Sequence, residues 1–221
     1  MADEKSFVIG ALLYPDYDLL DFNGTIRFLG SLKNDGLNVK IITISQHGGN
    51  VKSNSQCQNL SDYSFDECPD FNVLLVPGGL STGEEINNST LINFIDKWIP
   101  KVKYVLGVCT GSALIAKTGH LNGKKATSNK MAFEWVVSCG PKVNWIKHAR
   151  WVVDGKFYTS AGVSAGMDMV LGWISDIFGE QFAKRSALIA EYQWHSDPSW
   201  DPFSEMELEP SIREFWANTN E

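Results

Sequence analysis

Nowhere in these 221 residues do Lys and Arg gather into a run, and the formal charge is −7. A main partner that was nucleic acid or an anionic membrane would call for a basic patch to neutralise phosphate, so neither is expected. Cysteine is scarce too. Cys57, Cys68, Cys109 and Cys139 lie far apart without a Cys-x-x-Cys pair, which signals neither a zinc site nor a disulfide framework; they read as thiols of a reducing compartment. The four histidines, His47, His120, His148 and His195, fall in turns or polar segments and read as surface residues. No apolar span reaches the ~20 residues of a membrane helix. The charged start, Met1-Ala2-Asp3-Glu4-Lys5, has no apolar signal-peptide core, and the expected location is the cytoplasm.

What is present is an alternation of strand-like and helix-like segments. Residues 7–13 and 72–76 are short apolar runs, as expected of strands buried in a parallel sheet, and 39–44 reads as an alternating strand. A helix carrying Ile26, Phe28, Leu29 and Leu32 follows the first, starting after Leu20-Asp21-Phe22-Asn23-Gly24. Residues 51–56 suggest an edge hairpin, with Tyr63 and Phe65 in the loop after it. Residues 89–99 place Leu91, Ile92, Phe94, Ile95 and Trp98 on a broad apolar helical face. Trp151 to Thr159 reads as a hairpin about Asp154-Gly155. Apolar residues from Val163 to Phe178 recur at helical spacing, and a last helix is expected over 180–192. Beyond it the chain shows no period, so 196–221 is expected to be an extension of a single domain spanning 1–195, packed over its surface or against a partner subunit. The eight tryptophans are read as core or interface residues.

The chain is organised around Tyr104-Val105-Leu106-Gly107-Val108-Cys109-Thr110-Gly111-Ser112-Ala113, a strand that bends into a small-residue helix. A cysteine on such a bend is held in a strained position at the carboxyl end of the sheet, where helix N–H groups and dipole lower its pKa. The same residue also fits an inert core thiol. Asp21, near the carboxyl end of the first strand, suits either a helix cap or an acid. Gly78-Gly79, after another strand, suits either a tight turn or N–H groups aimed at a ligand. Strands alternating with helices indicate an α/β sandwich, and in such sheets ligands bind beyond the carboxyl ends of the strands. Asp21, Gly78-Gly79 and Cys109 converge at that edge.

These residues resemble the ThiJ/PfpI superfamily, and within it the isonitrile hydratases. The resemblance rests on Tyr14-Pro15, Leu20-Asp21-Phe22-Asn23-Gly24, Val76-Pro77-Gly78-Gly79 and Val108-Cys109-Thr110-Gly111-Ser112. It continues through Leu121-Asn122-Gly123-Lys124-Lys125-Ala126-Thr127-Ser128 to Ser160-Ala161-Gly162-Val163-Ser164-Ala165-Gly166-Met167-Asp168. It implies a flavodoxin-like three-layer sandwich with a mostly parallel sheet, the class I glutamine amidotransferase-like fold, and a homodimer. Cys109 would be the nucleophile and Asp21 its acidic partner, with the Thr110 hydroxyl helping to hold Asp21. Backbone N–H groups near Gly79 and Thr110 would act as oxyanion donors, and Gly78, Gly162 and Val163 would line the substrate site. The implied activity is hydration of a small electrophile, an isonitrile, without metal or organic cofactor.

The wider fold uses a catalytic histidine, but Thr110 follows Cys109 here. Hydratase-like sequences carry Thr-Thr-His-Trp where this chain has Thr127-Ser128-Asn129-Lys130. Amide hydrolysis is therefore the least favoured chemistry. Glyoxalase-type hydration of α-oxoaldehydes and redox sensing through Cys109 remain as alternatives. A regulator's ligand-binding half is disfavoured by the lack of a basic helix-turn-helix segment.

Overall fold

The structure is a computed structural model that describes residues 7–218; the charged start at Met1-Ala2-Asp3-Glu4-Lys5 lies outside the described residues. The chain opens with β1 (Phe7–Leu12), α1 (Leu19–Ser31), β2 (Val39–Ser45), β3 (Gly49–Lys52), β4 (Gln58–Ser61) and β5 (Tyr63–Ser64). The middle runs through β6 (Val73–Val76), α2 (Thr82–Glu85), α3 (Ser89–Trp98), β7 (Tyr104–Gly107), α4 (Gly111–Lys117), β8 (Lys125–Ala126), α5 (Phe133–Cys139) and β9 (Asn144–Trp145). It closes with β10 (Trp151–Asp154), β11 (Phe157–Ser160), α6 (Ser164–Phe178), α7 (Glu180–Ile189) and α8 (Pro210–Asn218).

Seven strands form one sheet in the order β10-β11-β7-β6-β1-β2-β5. All pairs are parallel except the β10–β11 hairpin. The all-apolar runs account for this: every residue of β6 is buried, as a strand covered on both faces requires. Helices α1, α6 and α7 pack together, as do α3, α4 and α5, so the sheet is the middle layer of a flavodoxin-like sandwich. Aromatic residues bind the layers. Trp173 of α6, fully buried, meets Phe7, Tyr104 and Phe178 edge-on at 5.7–5.8 Å, a contact set that contributes about 2–3 kcal/mol by burial. Among the described residues no helix is long and apolar enough to cross a membrane.

Several local expectations need correction. Helix α1 begins at Leu19, and its cap is Asp18, whose Oδ1 accepts from the N–H groups of Leu20 and Asp21 at 3.0 and 3.1 Å. Asp21 therefore lies in the first helical turn and is not the cap. The hairpin pairs β3 with β4, earlier and longer than the stretch 51–56, because Gly48 and Gly49 adopt positive φ and start the strand sooner. Tyr63 belongs to β5 on the sheet edge, and Phe65 is buried, stacked on Phe94 at 4.0 Å. The tail, for which no period was expected, carries the helix α8, and its Asp201 and Trp216 are buried. Its apolar residues meet the body at irregular intervals, so no helical period shows over the segment as a whole.

The sheet's key juxtaposition is set by two turns. Strands β6 and β7 run in register with Val76 beside Gly107, and the turns that follow meet at Gly111. A Cβ there would lie 2.4 Å from the Val76 carbonyl oxygen and 2.6 Å from that of Pro77. Both obstacles are backbone and have no room to give. Replacing Gly111 with Ala is expected to destabilise the fold by roughly 1–3 kcal/mol, read as a lower urea midpoint at unchanged m-value; an unchanged midpoint would refute the contact's importance.

Candidate active site

The turn between β7 and α4 carries Cys109 at φ 56°, the left-handed region. A residue with a Cβ costs about 1–2 kcal/mol there, and such strain persists only where neighbours enforce it. They do: the Cys109 carbonyl accepts from the hydroxyls of Ser112 (2.8 Å) and Ser128 (2.9 Å). The side chain is 7% exposed, almost wholly enclosed. The backbone N–H groups of Thr110 and Val163 donate to the sulfur. Val163 is itself strained, at φ 37° and ψ −86°.

Asp21 comes to the same place from α1 and is fully buried. Its Oδ2 accepts the Gly78 N–H at 2.9 Å, whereas Oδ1 has no hydrogen-bond partner. Burial is the main cause that pushes this carboxyl well above its ordinary range, and the nearby Asp18 adds to it; the Gly78 N–H and the Cys109 thiol oppose both. The thiol is also pushed up, first by burial and then by the negative charge of Asp21, with the Thr110 and Val163 N–H groups opposing. The expected lowering by a helix terminus is thus overturned: α4 has only seven residues, and the loss of water around the sulfur outweighs its dipole. Two anions side by side in so dry a site are strongly disfavoured, so the pair retains a proton between them.

The hydroxyl of Thr110 is engaged elsewhere than expected. It accepts the Gly79 N–H at 3.1 Å and lies 2.9 Å from the Thr82 hydroxyl, which donates to the Gly79 carbonyl at 2.7 Å. The Tyr14 hydroxyl, donating to the Pro77 carbonyl at 2.8 Å, completes the knot. The N–H groups of Gly78 and Gly79 are therefore taken by Asp21 and Thr110, and the N–H groups that reach the sulfur are those of Thr110 and Val163. The two glycines are required by packing. A Cβ on Gly78 would lie 2.5 Å from the Thr110 Oγ1 and 2.9 Å from the Asp21 Oδ2, and one on Gly79 would lie 2.7 Å from the Asp16 carbonyl oxygen.

Cys109, Thr110, Gly79 and Val163 open onto a cavity of about 220 Å³, together with Asn129, Met131, Leu80 and Trp216. Gly162 lines an adjoining cavity, where a Cβ would lie 2.4 Å from the Asn129 Nδ2. A larger cavity of about 330 Å³ lies near Tyr14, Ser45, His47 and Glu85, but Cys109 is part of the wall of the smaller one alone of the two, so the chemistry belongs there. No histidine lines the Cys109 cavity; His120 meets Asp96 at 2.9 Å and His148 meets Glu205 at 3.1 Å. Among the described residues no group of three His, Cys, Asp or Glu side chains is placed to hold a metal ion.

Sequence reasoning missed Trp216, on α8, and Lys130. The Lys130 ammonium is buried, donates to the Thr127 hydroxyl and the Ser128 and Ala149 carbonyls, and lies 3.6 Å from Asp201. Burial lowers its pKa to about 8, with Asp201 opposing. The density of aromatic residues in the tail was the signal for Trp216; for Lys130 the sequence offered none.

Residues 11–175 match the family model of the DJ-1/PfpI family. The chain is 30% identical over 184 residues to an isonitrile hydratase from Pseudomonas putida, covering 83% of this chain and 78% of that protein. It is 29% identical over 151 residues to the deglycase PfpI of Pyrococcus furiosus, covering 67% and 80% of the two. A ThiJ/PfpI family protein from Pseudomonas syringae superposes with a TM-score of 0.82 at 26% identity, over 98% of this chain and 90% of that one.

The Asp21 environment has a thermodynamic consequence. With its pKa raised on folding, the native state binds more protons than the unfolded state from the ordinary carboxylate range upward, so stability falls as pH rises through that interval. Asp21→Asn removes this dependence. The variant is expected to gain stability relative to the parent between pH 4 and pH 7.5 in urea unfolding; a relative loss would mean that Asp21 is favoured as a carboxylate, as a cap would be.

Proposed function

Since the chain belongs to the DJ-1/PfpI family, we propose that it is a cysteine-dependent hydratase that converts an isonitrile to an N-substituted formamide. The observation that carries this reading is the pairing of a buried thiol with a buried, proton-retaining carboxyl and no histidine around the cavity. Similarity to the Pseudomonas putida isonitrile hydratase supports it.

An isonitrile, R–NC, is neutral and reacts at its terminal carbon, which suits a cavity whose wall carries the Asp18 carboxylate and would repel an anion. The Cys109 sulfur bonds to that carbon, and the proton held between Cys109 and Asp21 is delivered to it, giving the thioimidate S–CH=N–R. Water then adds across the C=N bond: Asp21 takes a proton from the water and passes it to the nitrogen, leaving S–CH(OH)–NH–R, whose hydroxyl proton is the one released in the next step. The carbon–sulfur bond breaks to release HC(=O)–NH–R, and the proton returns to the thiol–carboxyl pair. The sum is one isonitrile and one water consumed for one formamide. The leaving group is the enzyme's own sulfur, so no histidine is needed to protonate a departing amine; amide hydrolysis has that need. The N–H groups of Thr110 and Val163 support the thiolate, and Val163, Gly79 and Gly162 shape the space about it. The enclosure of Cys109 also weighs against a redox sensor, whose thiol must be exposed and ionised.

Free thiols suit a cytoplasmic setting. The exposed apolar side chains of Leu20, Leu60, Leu188 and Ile189 suit a homodimer, for which sedimentation velocity is expected to give twice the chain mass and a monomer would count against the reading.

Hydration of phenyl isonitrile, followed spectroscopically, tests the proposal. Turnover is expected in the parent and absent in Cys109→Ala, and Asp21→Asn is expected to lower kcat by about 100-fold or more with a small change in KM. No turnover by the parent would overturn the hydratase reading, and turnover of an α-oxoaldehyde in its place would reassign the same thiol to glyoxalase-type chemistry.

A further inference from the structure

The cavity that exposes Cys109 holds about 220 Å³, less than the roughly 300–1,000 Å³ of ordinary small-molecule sites. A second cavity of about 290 Å³ shares Asn129, Met131 and Val163 with it as a common wall, and the two together fall within that range. The far wall of the second cavity comes from the tail, as Asp201, Phe203 and Met206, and the tail also supplies Trp216 to the first.

The tail is fastened where this requires. Asp201 is buried 3.6 Å from the enclosed Lys130 ammonium, the Pro198 carbonyl accepts the Arg150 N–H at 2.8 Å, and the Trp216 ring lies 5.1 Å from that of Trp135. The Lys130 ammonium is fully engaged by three protein oxygens and Asp201. The Asp201 carboxylate faces that ammonium across the ion pair, Asn129 and Ser164 add polar groups to the wall, and the apolar surface of the second cavity comes from Met131, Met206 and Phe203. Such surface adapts to flat or branched apolar groups.

We infer that the C-terminal tail is part of the substrate site: the second cavity receives a bulky apolar substituent of the substrate, aryl or branched alkyl, against Phe203 and Met206, while its reactive carbon sits at Cys109. Lys130 and Asp201 are positioning residues that hold this wall. The inference rests on the hydratase reading for the reactive head group, but not for the apolar subsite itself.

The test uses Phe203→Ala and Met206→Ala, whose side chains are 52% and 41% exposed, so that truncation spares the core. Trp200→Ala is the control, since Trp200 lies on the tail but lines neither cavity. The ratio of kcat/KM for phenyl isonitrile to that for methyl isonitrile is expected to fall about tenfold in each cavity variant and to hold in the control. In parallel, calorimetry with N-phenylformamide on Cys109→Ala needs no turnover. Adding Phe203→Ala or Met206→Ala is expected to weaken binding about tenfold. Should the parent hydrate no isonitrile, the hydratase reading falls and the calorimetry alone decides the subsite. Absence of binding, or an affinity within twofold across these variants, overturns the tail's role.

Discussion

Two backbone turns in this protein approach each other so closely that only glycine fits between them. Gly111 rests against the carbonyls of Val76 and Pro77, and that contact brings the ends of β6 and β7 together with their connecting loops interlocked. Thr110 then bonds to Gly79, 31 residues away, and Gly78 reaches Asp21, 57 residues away. A parallel sheet makes such meetings possible, because every crossover returns the chain to the same edge. The site is in this sense a by-product of close packing: each group near the sulfur is held by a bond that also closes the fold.

The same closeness decides the electrostatics. A carboxyl and a thiol in one water-free space both resist ionisation, and each makes the other's charge less favourable. The backbone gives partial relief through the Gly78, Thr110 and Val163 N–H groups. Strain accompanies this arrangement at Cys109 and Val163, two residues with side chains at positive φ, at a cost of order 1–3 kcal/mol each. A well-packed core bears that cost, since deforming the turns toward ordinary geometry would break several buried hydrogen bonds at once.

Relatives of this chain are named for two different reactions, isonitrile hydration and deglycation. In this chain the thiol and carboxyl manage the proton, while the shape of the surrounding walls is what substrate choice would depend on. Here the walls come from the stretch around Asn129 and Met131 and from the tail. Both lie outside the central strands, where substitution disturbs the sheet least.

The order of strands and helices, the sheet's parallel character and the meeting of Asp21, Gly78-Gly79 and Cys109 at one edge were legible in the sequence. Each depends on local apolar patterning and on the rule that parallel strands end on the same side. Tertiary structure alone decided that Asp18, not Asp21, caps α1, and that the N–H groups of Gly78 and Gly79 serve the protein and not a substrate. It also decided that burial raises the Cys109 thiol's pKa, and that the tail returns to wall the cavity with Trp216. The division has one physical reason. Periodicity and turn chemistry act over a few residues and are written in order along the chain, whereas desolvation and hydrogen-bond partnership depend on which distant atoms exclude water from a point in space.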